Sequence, residues 1–244
     1  MQRQGLLNSL LHGSWTAKEA VKESQIMNNG DSIKEMFEIM RVCVKPEFQA
    51  QYRAVVASMF PRVSAQYGDV MENVGNWEVI VGDMGNFYHI WKYQGYAGYD
   101  KVLRDRANPL QMELQSQLLP LIERRRNWLT QAFTFWTPGL PCRAPNSIFE
   151  LRTYHLKPGH LLEWERDWRR GLEARRPYAE PVGAWFSHVG QLHTVFHIWE
   201  YPSTEQREKT RAEAWRVETW GKTVNKTVRM IDRMHSQIML PLPV

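Results

Sequence analysis

Six residues in the second half of the chain combine acid, base and aromatic chemistry at strand-like spacing: Glu150, Arg152, Tyr154, His193, His197 and Trp199. Alternate residues of a strand share a face, so the first three align on a strand over 148–156 and the others on a strand over 192–201. If both faces point into one barrel interior, a carboxylate, a guanidinium, two imidazoles and aromatic walls converge, as in a small-molecule pocket. His197 is then the candidate base or axial ligand, with its properties tuned by Glu150.

The same residues also have a purely structural interpretation. Glu150 and Arg152 can form a buried ion pair, which persists because removal of one partner strands the other charge. The chain contains no G-x-S-x-G, P-loop or H-E-x-x-H sequence. Its two cysteines, Cys43 and Cys142, lack the spacing of metal ligands. We therefore predict no catalytic residue, no metal and no cofactor, and we treat the six residues as a candidate barrel-interior pocket.

The strands that carry these residues belong to a pattern that occurs twice, about 110 positions apart. The repeated motifs are Phe37-Glu38-Ile39 with Phe149-Glu150-Leu151, Val74-Gly75-x-Trp77 with Val182-Gly183-x-Trp185, and His89-Ile90-Trp91-x-Tyr93 with His197-Ile198-Trp199-x-Tyr201. Apolar periodicity and turn residues predict β-α-β-β-α-β in each copy, with hairpin turns at 82–85 and around Gly190. The last helix and closing strand of each copy are predicted over 98–124 and 128–136, and over 203–233 and 236–242.

This order of elements is typical of the ferredoxin-like, split βαβ unit. One such unit leaves the sheet face opposite its helices uncovered, so two copies should pack sheet against sheet. We predict an α+β protein: two tandem ferredoxin-like repeats of the dimeric α/β-barrel type, with their sheets packed face to face. The predicted divisions are an arm or linker over 1–35, a first repeat over 36–136 and a second over 147–244. Residues 1–35 fit a presequence remnant or a packed arm.

Charge and hydropathy exclude two classes of partner. The formal net charge of +5 comes from 31 basic and 26 acidic residues that are interleaved along the chain. No basic stripe with interleaved aromatic residues occurs, so we predict no nucleic-acid partner. No apolar run approaches the length of a membrane span, so none is predicted. The chain has 11 tryptophans, and an exposed tryptophan would suit an interface with another protein.

The second copy resembles the NIPSNAP family. The resemblance rests on Phe149-Glu150-Leu151-Arg152-Thr153-Tyr154, Lys157-Pro158-Gly159, Val182-Gly183, His197-Ile198-Trp199 and Met239-Leu240-Pro241-Leu242. It covers roughly residues 36–244, although Met40 stands in the first copy where Arg152 stands in the second.

This resemblance implies a dimeric α/β-barrel fold and a mitochondrial location, in the matrix or associated with a membrane. It also implies a non-enzymatic role through contacts with other proteins, in vesicular transport or as a mitophagy-type adaptor, compatible with a homodimer or higher oligomer. The alternative is a small-molecule-binding or haem-binding protein, or a monooxygenase-like enzyme, that uses the barrel interior of the second repeat. An open interior cavity would favour that alternative.

Overall fold

The computed structural model describes residues 35–133, 135, 146–175 and 177–243. The strands are β1 (Met36–Val44), β2 (Met71–Val81), β3 (Asn86–Tyr93), β4 (Ile122–Ala132), β5 (Ile148–Leu156), β6 (Glu180–Val189), β7 (Thr194–Tyr201) and β8 (Ile231–Pro241). The α-helices are α1 (Gln49–Gln66), α2 (Gly95–Arg104), α3 (Pro109–Leu118), α4 (Leu161–Leu172), α5 (Thr204–Arg216) and α6 (Glu218–Thr227). Short 3-10 helices cover Pro46–Phe48, Leu119–Leu121 and Val228–Met230.

The eight strands form one closed antiparallel barrel in the order β1-β3-β2-β8-β5-β7-β6-β4. We call residues 36–132 the first half and residues 148–241 the second half. The halves are joined along two seams, where β2 pairs with β8 and β4 pairs with β6. The predicted mixture of helices and strands is confirmed, and the strands of the two halves hydrogen-bond to each other at these seams. Closure leaves none of these eight strands with a free edge.

Large apolar side chains from all eight strands fill the barrel interior. This cluster contains Phe37, Ile39, Trp77, Val79, Tyr88, Ile90, Trp128, Phe149, Leu151, Val182, Trp185, Phe196, Ile198 and Met239. No helix contributes to it. Rings from the two halves meet there, since the Phe37 and Trp185 ring centroids lie 5.9 Å apart.

The helices cover the outside of the barrel and enclose two further apolar clusters. In the first half, α1 packs Tyr52, Val56 and Phe60 against strand residues such as Trp91. In the second half, Trp164 and Trp168 of α4 and Trp220 of α6 pack against Trp199 of β7. Each half therefore buries its sheet on both faces, one towards the barrel interior and one towards its own helices.

The repeated Val-Gly-x-Trp motif has a structural explanation. In β2 and in β6 the pairing register shifts next to the motif glycine, Gly75 or Gly183, as it does at a β-bulge. The indole of the tryptophan two residues later lies against that glycine, so an added Cβ atom would overlap the ring of Trp77 or Trp185. Glycine at this position therefore allows a tryptophan to turn into the barrel interior.

Several element boundaries differ from the sequence predictions. The helix predicted over 98–124 is two helices, because Asn108 accepts a hydrogen bond from Leu110 N as an N-cap and Pro109 opens α3. β4 begins at Ile122, six residues before the predicted strand, and β8 begins at Ile231 rather than at 236. Both predictions failed because the early residues of these strands are charged or polar and largely exposed. The arm before Glu35, the connector up to Pro145 and Trp136 lie outside the described residues.

Candidate functional site

The predicted pocket residues lie on the opposite face of the sheet from the one predicted. Phe149 and Leu151 point into the barrel interior, whereas Tyr154 and Trp199 belong to the cluster beneath the helices of the second half. The alternation along the strand was correct and the choice of face was wrong. The physical reason is that the interior buries side chains from every strand, whereas the helix layer has an edge where arginine head groups stay partly solvated.

His193 is separated from the other five predicted residues by local backbone geometry. It lies in the turn before β7 begins, with φ 57°. Its carbonyl oxygen accepts the hydrogen bond of Leu156 N at 2.8 Å. Strand alternation therefore does not extend to His193, and its predicted place beside His197 is corrected.

Glu150 is the centre of a buried ionic cluster. Its Oε1 atom accepts hydrogen bonds from Arg152 Nη1 at 2.8 Å, Arg207 Nη2 at 2.7 Å and Ser236 Oγ at 2.7 Å. Burial raises the pKa of the Glu150 carboxyl, but the hydrogen bonds and the two arginine charges outweigh it and hold this pKa well below its usual range. Glu150 is therefore an anion that anchors arginines, and it has no role as a proton acceptor near neutral pH.

A further arginine of the second half, Arg175, fills the space between Trp199, Trp220 and Tyr201. Its guanidinium lies 4.1 Å from the centroid of the Trp199 ring and donates to Tyr201 Oη at 2.6 Å. The same guanidinium lies 5.2 Å from the ring of Trp220. Arg175 is 2% exposed, so it fills this layer together with the tryptophans.

His197 is also part of the packing. Its side chain is fully buried, and its Nδ1 accepts the hydrogen bond of Trp199 Nε1 at 2.9 Å. Burial and the charges of Arg152 and Arg175 hold the pKa of His197 well below its usual value. A neutral, enclosed imidazole cannot exchange protons with a solvent-borne substrate, so the predicted role of His197 as a base is not supported by this environment.

The first half contains a cavity of about 600 Å³ between its sheet and its helices. Smaller or more flexible side chains stand where bulky ones stand in the second half. Met40 and Val42 take the places of Arg152 and Tyr154, 112 positions earlier, and Gln111 takes the place of Trp220, 109 positions earlier. The space that tryptophan and arginine fill in one half is therefore open in the other.

The polar floor of this cavity is the Glu38 carboxylate. Glu38 is 8% exposed, and it accepts hydrogen bonds from Tyr93 Oη at 2.9 Å and Asn127 Nδ2 at 2.5 Å. Because Met40 replaces the arginine found beside Glu150, these donors are neutral. The charge of Glu38 therefore remains available to a ligand that donates a hydrogen bond or carries a positive charge.

A buried histidine supports one wall of the same cavity. His89 Nδ1 lies 2.7 Å from Asn76 Oδ1, and His89 Nε2 lies 2.9 Å from Tyr52 Oη. The Asn76 oxygen can only accept, so His89 carries its proton on Nδ1 and Nε2 accepts from the tyrosine hydroxyl. Burial lowers the pKa of His89 to about 3. His89 is therefore neutral, and its hydrogen bond holds the side chain of Tyr52, which lines the cavity.

The mouth of the cavity is basic and its walls are apolar. Exposed Arg106 and Arg125 stand at the rim, and Arg125 Nη1 donates to Gln115 Oε1 at 3.1 Å. The apolar walls include Phe60, Val63, Met71, Trp91, Tyr99, Val102, Leu114 and Leu118. The described part of the chain contains no group of three histidine, cysteine, aspartate or glutamate side chains that could hold a metal ion. None of its helices is long and apolar enough to cross a membrane.

Comparison with known proteins identifies the family. The NIPSNAP family model matches residues 149–244. NipSnap homolog 2 of Danio rerio is 35% identical over 201 residues, which cover 82% of this chain and 70% of that protein. NipSnap homolog 2 of Homo sapiens is 34% identical, with the same coverage of both chains. The chain belongs to the NIPSNAP family. The resemblance read from the sequence motifs is thus confirmed, and this NIPSNAP chain extends the similarity well beyond the residues of the family model.

Solved structures support the fold of this NIPSNAP chain. A Lactobacillus acidophilus protein that is provisionally named a monooxygenase superposes with a TM-score of 0.62. The match covers 86% of this chain and 94% of the bacterial one, at 10% sequence identity. Identity at that level shows a shared fold alone.

The first-half cavity was missed by sequence reasoning, although the signal was present. The repeat offsets align Gln111 with Trp220 and Val63 with Arg175. In each pair the first half carries the smaller side chain, and both Gln111 and Val63 line the cavity. Comparing side-chain volumes between the two copies, rather than searching for titratable groups, would have indicated the open half.

Proposed function

We propose that this chain binds a mainly apolar small molecule in the first-half cavity. The ligand carries a hydrogen-bond donor for Glu38 and an acidic group for the rim of Arg106 and Arg125. The observation that supports this proposal is a 600 Å³ space with apolar walls and one buried carboxylate held by neutral donors. Ligand pockets commonly have this size and this balance of apolar walls and few polar groups.

A thermal-shift screen with hydroxylated aromatic acids and hydroxy fatty acids tests this proposal. A ligand that binds only the folded chain raises the melting temperature. The best compound should lose most of its effect when its hydroxyl is removed, because the Glu38 carboxylate then has no donor to accept from. If the whole panel leaves the melting temperature unchanged, the proposal fails for this ligand class.

Filling the cavity gives a matched pair of variants. Gln111→Trp places in α3 the side chain that α6 carries at Trp220, and we expect ligand affinity to fall at least about tenfold, or about 1.4 kcal/mol. Met112→Trp is the control, because Met112 is 59% exposed on the same helix and does not line the cavity. Isothermal titration calorimetry compares them. Equal affinity in both variants would place the ligand elsewhere.

A second candidate function is contact with another protein. Trp215, at the end of α5, is 53% exposed, and exposed tryptophans are frequent anchors of interfaces. This exposed side chain supports the adaptor role that the family resemblance implies. The mitochondrial location is proposed from that resemblance alone. Fluorescence microscopy of a tagged full-length chain tests the location. Native electrophoresis of the Trp215→Ala variant tests the contact, because loss of a larger complex is expected and an unchanged complex would exclude Trp215 from the interface.

We also infer that the two halves are duplicated ferredoxin-like units. The support is that β1 and β5, α3 and α6, and β4 and β8 have equal lengths and stand 109 or 112 positions apart. The register shifts beside Gly75 and Gly183 also support this inference. On this interpretation, the first half has a cavity between its sheet and its helices, whereas tryptophan side chains fill the corresponding space in the second half.

A further inference from the structure

A second cavity lies at one end of the barrel and shares Arg126 with the first-half cavity. It has a volume of about 280 Å³, and we call it the barrel-end basin. The charged or ionisable residues that line it are Arg41, Asp83, Arg126, His155, Arg233 and His235. They come from both halves, so the basin exists only when the barrel is closed.

The strand registers explain why polar groups collect at this level. Arg41 lies opposite Tyr88 and Arg126 in the first half, and Thr153 lies opposite Phe196 and His235 in the second. Arg41 and Thr153 follow the interior residues Ile39 and Leu151 by two positions, so they share the inward face of their strands at the edge of the apolar layer. Buried Tyr88, Trp128 and Phe196 close the floor, and the charged side chains form the wall above it.

The charges of the basin are unbalanced. Three arginines line it against one carboxylate, Asp83, which lies 3.6 Å from Arg41 and is 59% exposed. The rings of His155 and His235 stand 6.2 Å apart, and Arg233 pairs in register with His155. Asp232, beside Arg233, lies 3.6 Å from it. Asp83 and Asp232 each pair with one arginine, so Arg126 has no carboxylate partner among the described residues, and an entering anion would neutralise its charge.

The local environment of His155 indicates the same imbalance. Thr194 Oγ1 donates its hydrogen to Gln191 O at 2.8 Å, so it can only accept from His155 Nδ1, 3.2 Å away. Burial and the charges of His235 and Arg233 lower the pKa of His155. Cations in the basin thus disfavour further positive charge, and an entering anion would relieve that repulsion.

We propose that the barrel-end basin binds a multiply charged oxyanion of the phosphate class. The guanidinium groups of the arginines match the oxygens of such an anion. The basin is small and its wall is polar, so it suits an inorganic or terminal phosphate group rather than an apolar body. This site goes beyond the ligand proposed for the first-half cavity and does not depend on it.

Calorimetric titration of the full chain with inorganic pyrophosphate tests the proposal. We expect saturable binding that weakens as sodium chloride is added, because salt screens exposed charges. Citrate should bind at least about tenfold more weakly. Absence of saturable binding overturns the proposal, and equal affinity for citrate overturns the assignment to the phosphate class.

Substitutions locate the binding site. Arg233→Gln combined with His235→Gln should weaken pyrophosphate binding at least about tenfold, and both side chains are exposed, so the fold should persist. Arg233→Gln alone should weaken pyrophosphate binding less than the double substitution does. Arg104→Gln is the control, since its side chain is 82% exposed on α2 and outside the basin. Unchanged binding in the double variant, or an equal loss in Arg104→Gln, contradicts the proposed site.

The two proposed sites can be tested separately. Gln111→Trp, which fills the first-half cavity, should leave pyrophosphate binding intact. The Arg233 and His235 substitutions should leave the melting-temperature shift by the apolar ligand intact. A loss of pyrophosphate binding in Gln111→Trp would show that the anion does not bind in the barrel-end basin.

Discussion

At the scale of residues, Glu150 and Glu38 stand 112 positions apart and have different surroundings. Glu150 is enclosed by Arg152, Arg207 and Ser236, whereas Glu38 receives only neutral hydroxyl and amide donors. The change that separates them is arginine against methionine, 112 positions apart. The Glu150 carboxylate is paired with arginines, whereas the Glu38 carboxylate lines the cavity in which we propose that a ligand binds. The difference lies in the neighbours of the acid rather than in the acid itself.

The Glu150→Gln substitution should destabilise the chain by about 3 kcal/mol at neutral pH, because it leaves Arg152 and Arg207 partly buried without their carboxylate. The pKa of Glu150 is depressed in the folded chain. Its stabilisation is therefore complete above the unfolded pKa of about 4.3 and is lost as pH falls further, towards the folded pKa. Urea denaturation of wild type and variant should show a gap that narrows below that pH.

Glu205→Gln is the control for this experiment. Glu205 pairs with Lys209 on the surface of α5 and its side chain is 73% exposed. Removal of an exposed pair should change the free energy of unfolding by less than about 0.5 kcal/mol. A Glu150→Gln variant as stable as this control at neutral pH would show that the ionic cluster contributes nothing to folding.

At the scale of elements, the bulged strands β2 and β6 set the contents of the barrel. Each brings a glycine against the indole of a tryptophan two residues later. Trp77 and Trp185 are 1% and 0% exposed, so neither ring can move away from an added methyl group. The position of each tryptophan ring therefore depends on the glycine at the bulge of its strand.

Gly183→Ala should destabilise the chain by about 1–3 kcal/mol, because the new Cβ overlaps the Trp185 ring in a packed interior. Gly75→Ala should act similarly on Trp77. Gly221→Ala is the control, since Gly221 lies in α6 with no atom closer than 3.9 Å to the added carbon, and alanine favours helix. Thermal denaturation compares the three variants. Equal stability of Gly183→Ala and Gly221→Ala would contradict this account of the motif.

The sequence predicted some helices and strands well and others poorly. Alternation and turn residues predict the strand over 148–156 and the hairpin at 82–85, and the structure contains both. The strand predicted over 192–201 is present but begins at Thr194. The face of β5 could not be chosen, because alternation gives two faces and both are buried here. The early residues of β4 and β8 were missed because exposed charged residues in a strand leave no apolar signal. The first-half cavity depends on the volumes of the side chains that line it, and the periodicity of apolar residues does not report those volumes.

At the scale of the whole molecule, closure of the barrel makes the halves depend on each other. The interior cluster contains residues from every strand, and the seams β2–β8 and β4–β6 join the halves by backbone hydrogen bonds. Separating the halves would expose this apolar interior and two pairs of strand edges. The barrel-end basin shares this dependence, since its lining crosses from one half to the other.

The chain should therefore unfold in one cooperative transition. Phe37→Ala, in β1, should destabilise the whole barrel by about 3–5 kcal/mol, because the ring is buried against Trp185 of β6. Hydrogen exchange followed by mass spectrometry should then show faster exchange in β6 and β7 as well as in β1. Met112→Ala, at an exposed position of α3, should leave exchange unchanged throughout. If Phe37→Ala accelerated exchange in the first half alone, the halves would be independent units, and a basin that needs both of them would lose its structural basis.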